Sequence, residues 1–148
     1  RVAPPGPGDG HLGGAGEIQL LCDSVATFGD AVYLIGRDDE TNQGRKSLQQ
    51  LTAGLDPSKP ILVLDHQPHH LEQAELAGVD FQLSGHTHRG QVFPLNLLID
   101  RMYERSHGYH RRGKTQYYVS SGIGIWGGKY RIGTQSEYVV IHLSGRAD

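Results

Sequence analysis

The sequence predicts an α/β fold, and three observations carry that reading. The short apolar run Ile61–Leu64 has the look of a strand buried on both faces, and Val79–Leu83 reads as a further buried strand. Between them His69–Ala77 reads as a helix closed by Gly78. Strand, helix and strand in that order make a unit whose strands lie parallel. The chain has 148 residues, enough for one domain with a single core.

The other elements follow in order. Residues 1–16 are rich in Pro and Gly, without apolar periodicity, and are expected to be disordered, a linker or a non-native start. Glu17–Cys22 alternates as a strand does. Ala31–Ile35 is a second strand, with turn chemistry at Phe28-Gly29-Asp30 before it. Lys46–Leu55 carries Leu48, Leu51 and Leu55 on one helical face and stops at Asp56-Pro57. After Val79–Leu83, Leu95–Tyr103 is apolar enough for a helix under a site, or for a lid. Gln116–Ser121 reads as a strand, Gly122–Gly133 as a loop and Glu137–Leu143 as a closing strand.

Composition removes several functions. Lys and Arg number 14 against 16 Asp and Glu, a formal charge of −2, whereas a general nucleic-acid binder needs a strong basic excess. A single cysteine, Cys22, excludes an internal disulfide framework and a multi-cysteine zinc module. No apolar run approaches the roughly 20 residues of a membrane span. The unusual counts are 21 Gly and 9 His. Glycine lets backbone turn sharply and approach ligands, and histidine is the commonest metal ligand.

The main chemical feature is Ser84-Gly85-His86-Thr87-His88-Arg89-Gly90-Gln91, directly after a buried strand. Ligand-bearing residues of open α/β sheets sit beyond the carboxyl ends of strands. A His-x-His pair there places two imidazoles toward metal positions, with Ser84 and Thr87 as supporting hydrogen-bonding groups. Taken alone, a surface loop with two histidines accounts for it equally. The second feature is Leu64-Asp65-His66-Gln67-Pro68, also ending a buried strand. Adjacent parallel strands lie about 5 Å apart, so His66 and His86 are expected to share one metal. Asp65 has two readings, a carboxylate orienting a histidine or a turn and capping residue. His69 and His70 are expected to be exposed, and Asp38 and Asp39 to form a turn.

Arg37, Arg89 and Arg131 are candidate phosphate contacts, each with an ordinary structural role as the alternative. The basic stretch Arg101–Lys114 either attracts an anionic substrate or is a solvated loop. Tyr103, Tyr109 and Trp126 either rim a pocket or pack in the core. The single cysteine, in a predicted strand away from the other motifs, offers no nucleophile.

Taken together, these segments resemble a known family. Tyr33–Asp39, Leu64–Pro68, Val79–His88, Ser120–Gly127 and Arg131–Thr134 are similar to the C-terminal half of a calcineurin-like metallophosphoesterase, closest to the bacterial subgroup typified by YkuE and YaeI. Arg89 departs from that subgroup, which often has Gly there. The resemblance implies half of a four-layer α/β/β/α sandwich. It also implies two divalent ions of the Mn, Fe, Zn or Mg type, and hydrolysis of phosphate mono- or diesters by a metal-activated water. By motif position, His66, His86 and His88 correspond to metal ligands. The family's Asp-x-His, Gly-Asp-x-x-Asp and Gly-Asn-His segments have no counterpart here: Gly29-Asp30 continues as Ala31-Val32.

This chain is therefore expected to be a fragment, with residues 17–148 forming the C-terminal part of the domain and the N-terminal half of that domain as its missing partner. Three neutral imidazoles without carboxylates cannot screen two close cations, so at most one weakly bound metal is expected, and little activity. The sheet is expected to lack partner strands and to leave an apolar face exposed. The expected substrate is a phosphoester, a lipid or cell-envelope compound among the kinds considered, and no specific nucleic acid. The subgroup suggests a membrane-attached or exported protein, although the chain contains no signal or transmembrane segment. The alternative is a non-catalytic binding module that retains a partial histidine site.

Overall fold

The computed structural model describes residues 19–144. The disordered segment expected at residues 1–16 lies outside them, as do the first two residues of the expected strand Glu17–Cys22. Ten elements follow the chain: β1 (Ser24–Phe28), β2 (Val32–Gly36), α1 (Leu48–Thr52), β3 (Ile61–Leu64), α2 (Glu72–Leu76), β4 (Phe81–Ser84), a 3-10 turn (His88–Gly90), α3 (Leu95–Met102), β5 (Gly108–Arg112) and β6 (Thr115–Val119). The strands form one mixed sheet in the order β1-β2-β3-β4-β6-β5. β2, β3, β4 and β6 run parallel, and the edge strands β1 and β5 are antiparallel to their neighbours.

The first strand lies later than its alternation suggests. The Gly29-Asp30 turn, with both residues left-handed, closes a hairpin that pairs Phe28 with Val32 and Ser24 with Gly36. Turn geometry thus sets the register, and residues 19–22 precede the ladder. Both core helices are shorter than their patterns. In α1, Ser47 and Gln50 form a reciprocal capping box at the start, and left-handed Gly54 follows the end. α2 begins only at Glu72, because His70 is left-handed (φ 53°) and cannot continue a helix. The basic stretch supplies an unexpected strand, β5, which a turn at Gly113-Lys114 joins to β6. Arg112 pairs with Glu75 and Glu104, and His110 with Glu104, so part of the cationic stretch is neutralised.

Leu48, Leu51, Leu71 and Ala74 pack on Ile35, Ile61, Val63 and Tyr117 to make the core on one face of the sheet. Buried polar groups there are satisfied by backbone: Tyr117 donates to the Leu71 carbonyl at 2.7 Å, and Thr115 to that of Val79 at 2.6 Å. On the opposite face Leu34, Leu62, Phe81, Leu83 and Tyr118 are half-buried and Leu64 is exposed. Parallel sheets are normally covered on both faces. The predicted closing strand Glu137–Leu143 is not a strand. It carries the apolar run Tyr138–Ile141, but it pairs with no strand among the described residues, and Tyr138, Val140 and Leu143 are exposed.

Candidate metal centre

The carboxyl ends of the parallel strands share one edge of the sheet, and the histidine motifs leave from it. β3 and β4 pair in parallel register, Leu64 opposite Leu83. His66 follows β3 by two residues and His86 follows β4 by two residues. The loops are tied together where they leave the sheet: the Asp65 amide donates to the Leu83 carbonyl, and the Gly85 amide to the His66 carbonyl at 3.0 Å. The two imidazoles meet edge to face, with His66 Nε2 and His86 Nδ1 3.2 Å apart. Two nitrogens each ~2.0–2.1 Å from one zinc-like ion at a tetrahedral angle lie about 3.3 Å apart. The observed spacing therefore suits a shared proton or a shared cation.

The turn that presents His86 is strained. His86, His88, Arg89 and Gln91 all hold left-handed φ values, between 47° and 65°, which residues with a Cβ rarely adopt. Such positions persist only where surrounding contacts over-determine them. Here Thr87 donates to the Ser106 carbonyl at 2.7 Å and accepts from the Arg89 amide. Gln91 is held through both ends of its amide by the backbone of Trp126 and Gly128. Burial lowers the His86 pKa, aided by His66 beside it. Burial also lowers that of His88, aided by the Arg131 guanidinium. Both rings thus favour the neutral, metal-binding form.

His88 lines the same cavity as His66 and His86. Among the described residues, however, no group of three His, Cys, Asp or Glu side chains gathers closely enough to hold a metal ion. The donor set fits two positions on one ion and is incomplete for two ions.

Two of the three candidate arginines, Arg37 and Arg131, have structural contacts. Arg37 is buried, donating to Asp65 at 3.0 Å, to Gln73 and to the Lys46 carbonyl. The Arg131 guanidinium donates to the carbonyls of His88, Ser121, Gly122 and Gly124, which fastens the glycine-rich loop to the histidine turn. Arg89 lines a polar cavity beside Arg105 and His107. Asp65 takes neither role considered for it. Its carboxylate is buried and accepts from both Arg37 and Arg45, touching no histidine and capping no helix. Burial pushes its pKa up, against the pull of the two guanidiniums. Asp38 and Asp39 do form a turn, bonding Asp39, Thr41 and Asn42.

The loop after β2 contributes more than a turn. Asp39 accepts from Gln67 at 2.8 Å, and the field of His66 adds to the hydrogen bonds that hold its carboxyl far below the ordinary range. Glu40 pairs with His69 at 2.7 Å, and the His69 ring stacks on Tyr103, so His69 is only partly exposed. The available signal was Gly36-Arg37-Asp38-Asp39 leaving a strand at the same edge. Of the two readings for Tyr103 and Trp126, the structure shows the pocket rim: Trp126 is exposed on the cavity wall together with half-buried Tyr103.

No family model and no solved structure matches the chain. It is 40% identical over 100 residues to an uncharacterized metallophosphoesterase of Campylobacter jejuni, covering 67% of this chain and 27% of that protein. It is 44% identical over 90 residues to one of Helicobacter pylori, covering 60% and 24%. A transmembrane protein with metallophosphoesterase domain from Bos taurus is 36% identical over 124 residues, covering 77% and 28%. The chain thus spans about a quarter of the length of these curated relatives. Proteins named metallophosphoesterases therefore match most of this sequence, and that likeness supports a place for it in the metallophosphoesterase family.

Proposed function

We propose that the chain is part of a calcineurin-like metallophosphoesterase of the YkuE and YaeI kind, whose intact form hydrolyses phosphate mono- or diesters. The observation that carries this reading is the His66–His86 pair, 3.2 Å apart where two adjacent parallel strands end, in a sequence similar to proteins named for that chemistry. His66 and His86 would hold one divalent ion from two sides, with His88 facing the same cavity. When bound, divalent ions stabilise charge on phosphoryl oxygens and supply an activated water. The chain's own part is to keep the His86 and His88 imidazoles neutral, to fix the His66–His86 spacing through the β3–β4 register and to wall the site with Tyr103 and Trp126.

Three neutral imidazoles cannot screen two close cations. The bridging carboxylate and remaining ligands are assigned to protein outside the described residues, and the half-exposed sheet face is where the rest of such a domain would pack. The name of the bovine relative supports a membrane-attached setting. A second reading, a non-catalytic module with a partial histidine site, is favoured by one observation: among the described residues no three potential ligands converge.

The test is hydrolysis of p-nitrophenyl phosphate and its bis-ester with manganese. This chain alone is expected to show little or no turnover. Joined to the remaining three quarters of a relative's sequence, it should gain orders of magnitude, most of it lost on His86→Ala. Strong metal-dependent turnover by the chain alone, abolished by His86→Ala, would overturn the incomplete-site argument. No gain on joining would favour the non-catalytic module.

A further inference from the structure

The histidine pair does not open onto water alone. His66, His86 and His88 form one end of a cavity of about 510 Å³ whose other walls are Leu95, Leu98, Ile99, Tyr103 and Trp126. That volume is in the range of sites that take a small organic molecule. α3 supplies most of the apolar wall. Asp100 accepts from Ser106, and the backbone of Asn96 lies against Gly90. The apolar stripe of α3, Leu95, Leu98, Ile99 and Met102 at i, i+3, i+4 and i+7, faces outward, and the helix buries no residue. Leu95 is 52% exposed, Leu98 57% and Trp126 74%. A contiguous apolar surface of this kind on a polar chain marks a binding site.

The chemistry of the wall narrows the occupant. Both ends of the Gln91 amide are engaged by the backbone of Trp126 and Gly128. The Thr87 hydroxyl is spent on the Ser106 carbonyl, and the Tyr103 ring is stacked on His69. The wall therefore presents the branched aliphatic groups of Leu95, Leu98 and Ile99 and an indole, with the Gln91 amide and the Thr87 hydroxyl already engaged, which suits hydrocarbon. The polar end is the imidazole cluster.

Resting on the phosphoesterase reading, we propose that this cavity takes an amphiphilic phosphoester. Its phosphate lies at the His66–His86–His88 end and its aliphatic chain lies along Leu95, Leu98 and Trp126.

Trp126 is the single tryptophan of the chain, so its emission reports on the wall directly. Methyl, butyl and octyl phosphate would be titrated into the protein with manganese, following binding by calorimetry and Trp126 by fluorescence. Octyl phosphate is expected to bind at least tenfold more tightly than methyl phosphate and to shift the emission to the blue. The upper limit is roughly fourfold per methylene, the equivalent of ~0.8 kcal/mol for each buried CH₂. Leu98→Gln, at an exposed position that does not endanger folding, should cut the octyl-to-methyl ratio severalfold.

Affinity that does not depend on chain length overturns the inference. It leaves the phosphoesterase reading standing if methyl phosphate binding needs manganese and is lost in His86→Ala. Octanol binding as tightly as octyl phosphate, indifferent to manganese and to His86→Ala, would refute the phosphoester reading and this inference with it. A protein that binds none of the three phosphates also refutes the inference.

Discussion

Replacing Asp65 with Ala removes the only carboxylate that, among the described residues, pairs with Arg37 and Arg45. The three side chains are 2%, 7% and 10% exposed, so water cannot take over the lost contacts. Unit charges ~4 Å apart at an effective dielectric near 20 attract by about 4 kcal/mol. Much of that is offset by the desolvation of all three groups, so the intact cluster is a weak net contributor. Breaking it is another matter, because two guanidiniums remain buried beside each other without a counter-charge. Losses of about 3–5 kcal/mol are typical of such a change, a large share of the total stability of a domain this size. With a urea slope of ~1–3 kcal/mol/M, the midpoint should fall by more than about 1 M. Asp65→Asn keeps one acceptor and should lose less. Zinc or cobalt binding, followed separately in the folded variants, should persist. A stability loss under ~1 kcal/mol would refute the argument from buried charge. Unchanged stability with lost metal binding would mean that Asp65 serves the histidines directly.

Other outcomes follow from the same structure. His66→Ala and His86→Ala should each weaken cobalt or zinc binding at least tenfold by calorimetry, while His110→Ala, which is paired with Glu104 on β5, should not. The pKa values of His86 and His88 are lowered, so the unfolded chain takes up their protons first. Stability should therefore fall as pH drops through the unfolded histidine value near ~6.5 and level off below the folded values. A urea midpoint that does not decline between pH 7.5 and 5, or a decline that is unaltered in a His86→Gln/His88→Gln variant, would refute this. Leu48→Ala, at a fully buried position, should cost about 2–5 kcal/mol. Leu76→Ala, 73% exposed, should stay within ~0.5 kcal/mol. Equal effects in denaturant melts would contradict the placement of the core.

The central strands were legible because continuous apolar runs such as Ile61–Leu64 have no other economical use. The meeting of His66 and His86 was legible because strand spacing and a shared edge leave little freedom. Periodicity failed where a partner or a turn decides the outcome. The apolar run within Glu137–Leu143 suits a strand but cannot provide a neighbour. The Gly29-Asp30 turn, visible in the sequence, fixed the first hairpin two residues beyond where alternation placed the strand. Asp65 was misjudged because its partners, Arg37 and Arg45, lie 28 and 20 residues away. The apolar stretch Leu95–Tyr103, read as a helix under a site or a lid, does line the histidine cavity, while its exposure was not legible because an apolar helix of eight residues gives no sign of facing outward.

The β3–β4 ladder also decides which insertions and deletions this architecture can absorb. Each histidine stands two residues past its strand, in a loop tied to its neighbour by the Asp65–Leu83 and Gly85–His66 backbone hydrogen bonds. One residue added between Leu64 and His66, or between Ser84 and His86, would break that register and part the two imidazoles. The connection from His69 to Asp80 is under no such constraint, since its length affects only the helix packed on the far side of the core. Length variation among related proteins is therefore expected to accumulate in the connecting segments, while the one-residue spacers, Asp65 and Gly85, keep their length, a constraint of counting and not of residue type.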